Sequence, residues 1–143
     1  MINQIEEIIY LNDLCDRYGI DTMSAGNLAG LAIEAARRGR IPDAIDYGQP
    51  DQVADMLMKI IRREGTGAIL AEGIRHAAKQ LDLEDLAVHV KGLEPSGYDP
   101  RVLKEMALGY AVSDRGACHL RSTFYKAELS GMIPPEAIDD SKE

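Results

Sequence analysis

A mainly α, multi-helical fold with at most one or two very short strands is what this 143-residue sequence predicts. Apolar residues recur at the 3.6-residue period in one segment after another. Glycine or proline falls where most of those segments end. Only LAVHVKG alternates as a strand does, and a single strand builds no sheet. No repeat, low-complexity run or linker divides the chain, so one helical domain is expected over 1–143.

The first helix spans residues 2–18. Ile5, Ile8, Ile9, Leu11, Leu14, Cys15 and Tyr18 recur at helical spacing, and Gly19 closes it at C′. The second runs from about Met23 to Arg38, closed by Gly39. Its Ala25, Gly26, Ala29, Gly30, Ala32 and Ala36 let another backbone come close, and Arg37 and Arg38 suit the negative end of its dipole. IPDAIDYGQPD is a loop. Val53, Met56, Leu57, Ile60 and Ile61 stripe a third helix, which EGTG ends. Ile69, Leu70, Ile74, Ala77, Ala78 and Leu81 stripe a fourth, from about Ala68 to Gln80. A short strand is expected at 87–91. Asp99 as N-cap and Pro100 at the first helical position start a helix that reaches about Ser113. DRGACHLRS follows as a turn of small residues between charges. The tail from about 131, with Pro134, Pro135 and DDSKE, is expected to fray.

Composition narrows the class. Six Tyr, one Phe and no Trp mean an aliphatic core. A formal charge of −8 argues against nucleic acid or an anionic membrane as partner, since both need basic surface. Cys15 and Cys118 form no C-x-x-C pair and no disulfide framework, which suits a reducing compartment. There is no stretch of 18 apolar residues and no signal-peptide pattern at the N-terminus, so the cytoplasm is the expected location.

Two turns carry candidate chemistry. In CDRYGID, Asp16 and Asp21 flank a Tyr-Gly bend. They can end one helix and cap the next. They can equally present paired carboxylates to a planar amino-amidine group, such as a guanidinium or the aminopyrimidinone edge of a pterin. In RGACHLRS, His119 and two arginines can be a plain surface loop. They can also form an anion-binding turn, with Arg115 and Arg121 as holders, Gly116 for close approach and His119 as a group that titrates near neutral pH. His76 and His89 read as structural. The histidines and cysteines never reach metal-ligand spacing, so no metal site is expected from protein side chains alone. No P-loop, G-x-G-x-x-G or nucleophile elbow occurs.

LNDLCDRYGIDTMSAGN resembles a signature of the tungsten-containing aldehyde ferredoxin oxidoreductase family, including its D-x-x-G-L-D pterin-binding stretch. ILAEGIRHAA, VHVKGLEPSGYDPR and GYAVSDRGACHLRS resemble successive blocks of the same family, in the same order. The resemblance covers roughly 3–130 and implies a fold like the family's helical C-terminal domains. It implies that Asp16, Gly19, Ile20 and Asp21 hold one of two pterins chelating a tungsten (or molybdenum) atom. The Leu-to-Ile change at Ile20 is mild for a backbone contact. It further implies that His119 lies beside the metal and moves protons, and that Arg121 meets pterin phosphate.

Family members are several times longer. Their [4Fe–4S] cluster draws on a C-x-x-C-x-x-x-C motif and a D-x-x-G-L-C motif, and neither occurs here; four thiolates are needed. A catalytic glutamate that the family carries just upstream is also missing. The resemblance therefore implies a segment of an enzyme that oxidises aldehydes to carboxylates and passes electrons to ferredoxin. Alone, the chain is expected to be inactive and to bind neither tungstopterin nor cluster. Its expected partners are the remaining enzyme domains, with a homodimer possible through the small-residue helix or the strand. A stand-alone interaction module, or a subunit that completes its site with a separately encoded partner, is the alternative.

Overall fold

The computed structural model describes residues 2–121 and 123–132, with Phe124 placed by its backbone alone. The fraying expected of the tail falls, beyond Met132, outside these residues. Among them are seven helices and no sheet: α1 Ile5–Tyr18, α2 Thr22–Arg37, α3 Pro50–Arg62, α4 Thr66–Leu70, α5 Ile74–Leu81, α6 Lys104–Val112 and α7 Phe124–Leu129. They belong to two compact units, Met1–Val88 and His89–Glu143.

α2 is the spine of the first unit. Ala25, Leu28, Ala29, Leu31, Ala32, Ile33 and Ala35 are buried along it, and α1, α3 and α5 pack around it. Its alanines let those backbones approach. The face expected to be open to a partner is thus largely core. Gly26 and Gly30 are the exceptions, since a Cβ at either would meet nothing within 4 Å. α3 opens with Pro50 at its start and buries Val53, Met56, Leu57 and Ile60. Each such side chain contributes roughly 1.5–3 kcal/mol on burial, and these aliphatics do the work that aromatics do elsewhere.

The helix expected over 68–80 is two helices. Gly73, at φ 89 and ψ 167, separates α4 from α5, a backbone conformation that is reached almost only by glycine. Its N–H donates to the Leu70 carbonyl, and its own carbonyl accepts from Ala77 to begin α5.

The loop between α2 and α3 is braced rather than loose. Arg37 holds Asp46 through Nε at 3.0 Å and Nη2 at 2.7 Å, and the Tyr47 hydroxyl donates to Glu34 at 3.0 Å. Asp43 accepts from Lys59 Nζ and Thr66 Oγ1. Burial pushes the Asp43 carboxyl up, but the two hydrogen bonds and the Lys59 charge outweigh it and hold the group below its ordinary 3.8. A carboxyl depressed in the folded state stabilises above its unfolded pKa, and that contribution is lost as pH falls through the folded value. Asp43→Asn is therefore expected to cost about 1–3 kcal/mol at neutral pH. The cost should shrink in acid as the wild type loses the same charge. Melting temperatures across pH check this; a variant that tracks the wild type at every pH would remove Asp43 from the role.

In the second unit the strand expected at 87–91 reduces to one bridge, Val90 with Leu93. Val90 and Leu93 exchange N–H···O bonds of 3.0 and 3.1 Å around Lys91 at φ 59 and Gly92 at φ 91. Two successive positive φ angles make a tight hairpin turn, which halts the alternation. Met106, Tyr110 and Ala117 form the core, with Val90, Tyr98, Leu103 and Tyr125 against them.

α6 begins at Lys104, not at Pro100. The Asp99 carboxylate accepts from the Arg101 N–H at 2.9 Å and its Nη2 at 2.6 Å, and its carbonyl accepts from Val102 and Leu103. Those bonds close a turn one step before the helix. The Arg101 guanidinium and N–H hold the Asp99 carboxyl down at about 2. Glu128 of α7 does the capping instead, accepting from the Lys104 N–H at 3.1 Å and the Glu105 N–H at 3.3 Å.

Candidate functional site

The first candidate turn joins α1 to α2. Gly19 is left-handed at φ 68. Its N–H donates to the Asp16 carbonyl at 3.3 Å, and the Ile20 N–H donates to the Cys15 carbonyl at 2.9 Å. This glycine-ended helix close reverses the chain, with Ile20 packed half-buried on the core. Asp21 is the N-cap of α2: its Oδ1 accepts from the Ser24 N–H at 2.8 Å. Asp16 accepts from Asn12 Nδ2 at 3.3 Å. Both carboxylates are exposed. The capping reading of Asp21 is therefore realised, and it leaves acceptor capacity, since a carboxylate has about four lone-pair sites.

The two carboxylates share a neighbour. Cys15 is buried, and burial first, then the charges of Asp16 and Asp21, push its thiol up. It is an inert thiol at ordinary pH. Beside the turn, an apolar cleft of about 180 Å³ opens between α1, α2 and α3, and Cys15, Thr22 and Gly26 line part of it.

The second turn lies in the other unit. Gly116, at φ 113, packs so closely that a Cβ there would sit 2.3 Å from the Val90 carbonyl oxygen. Lys91 Nζ donates to the carbonyls of Ser113 at 3.2 Å and Asp114 at 3.1 Å, tying the hairpin to the turn. Cys118 is buried under it. The backbone amides of Leu120 and Arg121 and the charges of Arg115 and Arg121 outweigh burial and hold the thiol below its ordinary range. The group these charges act on is the turn's own sulfur. This separates Cys118 from Cys15, whose thiol is pushed the other way.

His119 is half-buried, with its ring 5.8 Å from that of Tyr98 and tilted by 38°. Arg121 is exposed and reaches Asp114 only at 3.7 Å, a loose surface pair worth little and easily exchanged. Arg115 is exposed. Tyr98 and Tyr125 escaped the sequence reading. The first sits in the loop before α6 and the second on α7, a six-residue helix with no periodic stripe to announce it. The two turns belong to different units.

Among the described residues no three His, Cys, Asp or Glu side chains lie close enough to hold a metal ion. Exposed carboxylates beside a left-handed glycine fit the N–H edge of a pterin. Two thiols in different units do not fit a four-thiolate cluster.

Helices joined by a carboxylate turn and a histidine turn make a helical segment with two candidate sites. Comparison with known proteins gives its family. The family model described as aldehyde ferredoxin oxidoreductase, domains 2 and 3, matches residues 1–143. The tungsten-containing aldehyde ferredoxin oxidoreductase of Pyrococcus furiosus is 35% identical over 150 residues, covering 97% of this chain and 25% of that protein. The enzyme of the same name from Thermococcus kodakarensis is 32% identical over 151 residues, covering 99% and 25%. The WOR-like subunit of an aliphatic sulfonate oxidoreductase from P. furiosus is 35% identical over 127 residues, covering 80% and 20%. The chain belongs to the aldehyde ferredoxin oxidoreductase family and matches the family model for its domains 2 and 3. It spans about a quarter of the length of the relatives it matches.

Proposed function

We propose that this chain is the helical segment of a tungstopterin or molybdopterin aldehyde:ferredoxin oxidoreductase, and that 1–143 acts as one piece of it. Asp16 and Asp21 accept hydrogen bonds from the N–H edge of one pterin, while Gly19 and Ile20 bend the chain that carries them. Arg121 leaves its loose partner for a pterin phosphate. When bound, the metal centre supplies two-electron oxidation of an aldehyde to a carboxylate. Water supplies the oxygen atom, and an imidazole nitrogen of His119 takes up one of the protons that this oxidation releases. Ferredoxin is the electron acceptor of the assembled enzyme, and the remaining polypeptide supplies the cluster thiolates that this chain lacks. The isolated chain is inactive. The observation that carries the reading is the left-handed Gly19 between two exposed carboxylates, in a chain of this family.

Aspartate-to-asparagine exchange tests it in an enzyme containing this segment. Asn caps a helix about as well as Asp, so stability should hold. A hydrogen bond to a charged acceptor is worth roughly 1.5–3 kcal/mol, so tungsten retention should weaken about ten-fold or more in each of Asp16→Asn and Asp21→Asn. Full metal occupancy in both would return the turn to helix capping alone.

The alternative, a subunit or interaction module, is favoured by one feature. Ile5 and Ile9 of α1 are each 59% exposed and Ile8 is 45% exposed, a continuous apolar stripe. A homodimer through this face, rather than through the largely buried face of α2, is proposed for the isolated chain. Sedimentation should show concentration-dependent association that an Ile5→Lys/Ile9→Lys double variant loses. A clean monomer at high concentration in the unaltered chain argues against it.

A further inference from the structure

We infer that Tyr98 and Tyr125 form an aromatic ladder that fixes the plane of the His119 imidazole, which makes both of them positioning residues. The inference deepens the proposed role of His119 and rests on it for its functional meaning. Tyr125 stacks on Tyr98 with ring centroids 4.3 Å apart and planes at 28°. Tyr98 in turn meets His119 at 5.8 Å and 38°. The middle rung is held from two sides, by the Tyr125 ring on its face and through its own backbone. The Tyr98 carbonyl accepts from the Tyr110 hydroxyl at 3.4 Å. That hydroxyl also pairs with Ser96 Oγ at 3.3 Å, and Tyr110 itself is only 4% exposed. The core of the unit thus anchors Tyr98. Among the described residues no hydrogen bond or ion pair reaches the His119 ring, so ring packing is what sets its orientation. An imidazole that must meet a proton in one direction needs its plane fixed by its neighbours.

The test uses this chain with its histidine rings isotope-labelled, so no cofactor and no turnover enter. The chain has three histidines, and His76→Gln and His89→Gln assign the remaining signal to His119. The ring protons of His119 should lie upfield of those of exposed His76 because of the Tyr98 ring current. Tyr98→Leu should abolish that displacement and Tyr98→Phe should keep it. Tyr125→Leu should shift or broaden the His119 signal although Tyr125 stacks on Tyr98 and not on the imidazole. Equal His119 positions in wild type and Tyr98→Leu, or a Tyr125→Leu variant with an unchanged His119 signal, overturn the ladder. Should Tyr98→Leu unfold the unit, Tyr98→Phe and Tyr125→Leu decide: a displacement lost in the first or untouched in the second overturns it. Loss of the ladder leaves the proton-moving role of His119 standing, and a His119 variant with normal turnover removes that role while the ladder stands.

Discussion

Replacing His119 with Gln in an enzyme that contains this segment is expected to lower aldehyde turnover about a hundredfold or more. Its tungsten content should stay unchanged. Gln can donate and accept hydrogen bonds at the same place, so binding contacts survive. It cannot pick up a proton as an imidazole can. The half-buried ring lies beside Tyr98, and among the described residues no hydrogen bond of the fold depends on it, so the exchange tests the proposed proton transfer without removing a structural bond. The split between metal content and rate is the diagnostic. Normal turnover would return RGACHLRS to a surface loop. Loss of metal together with rate would make His119 a binding residue instead.

The other large effect is on folding. Gly67→Ala is expected to cost about 3 kcal/mol or more, at the upper end of overpacking penalties. A Cβ at 67 would lie 2.1 Å from the Lys59 carbonyl carbon, 2.3 Å from its oxygen and 2.5 Å from the Ile60 nitrogen. All three are backbone atoms of α3, so no side chain can turn aside. The only relief is to move α4 off α3, and with it Thr66, the partner of Asp43. Domains hold a margin of roughly 5–15 kcal/mol, so a steep fall in melting temperature follows. Gly26→Ala is the matched control. It lies in α2 with open space around it, and should gain about 0.4–1 kcal/mol from a stiffer unfolded chain. A Gly67→Ala protein that melts with the wild type would mean that the α3–α4 contact is slack.

These contacts show where sequence reading succeeds and where it stops. α1, its left-handed Gly19 and the Asp21 cap were legible because every bond involved is local. The break at Gly73 was hidden because the apolar stripe Leu70, Ile74, Ala77, Leu81 keeps its period straight through it. Asp99-Pro100 was a sound helix-start signal, but Arg101 claims the carboxylate two residues on. The true cap, Glu128, comes from 24 residues downstream of Lys104, a partner no local pattern names. The candidate site divides in the same way. Asp16, Asp21, His119 and Arg121 stand in turns whose spacing is visible, and family resemblance gave them roles. The stacking of Tyr125 on Tyr98 depends on packing between a loop and a short helix, and nothing in the spacing of the two tyrosines reveals it.

The reach of Glu128 to the first amides of α6 also has a practical side. α7 supplies both that cap and Tyr125, so a chain cut before Glu128 would lose the cap on the first amides of α6, and one cut before Tyr125 would leave Tyr98 unbacked as well. Shortened versions designed for crystallography or display should keep everything through residue 132. Amide exchange in the first turn of α6 gives an early reading of whether they have.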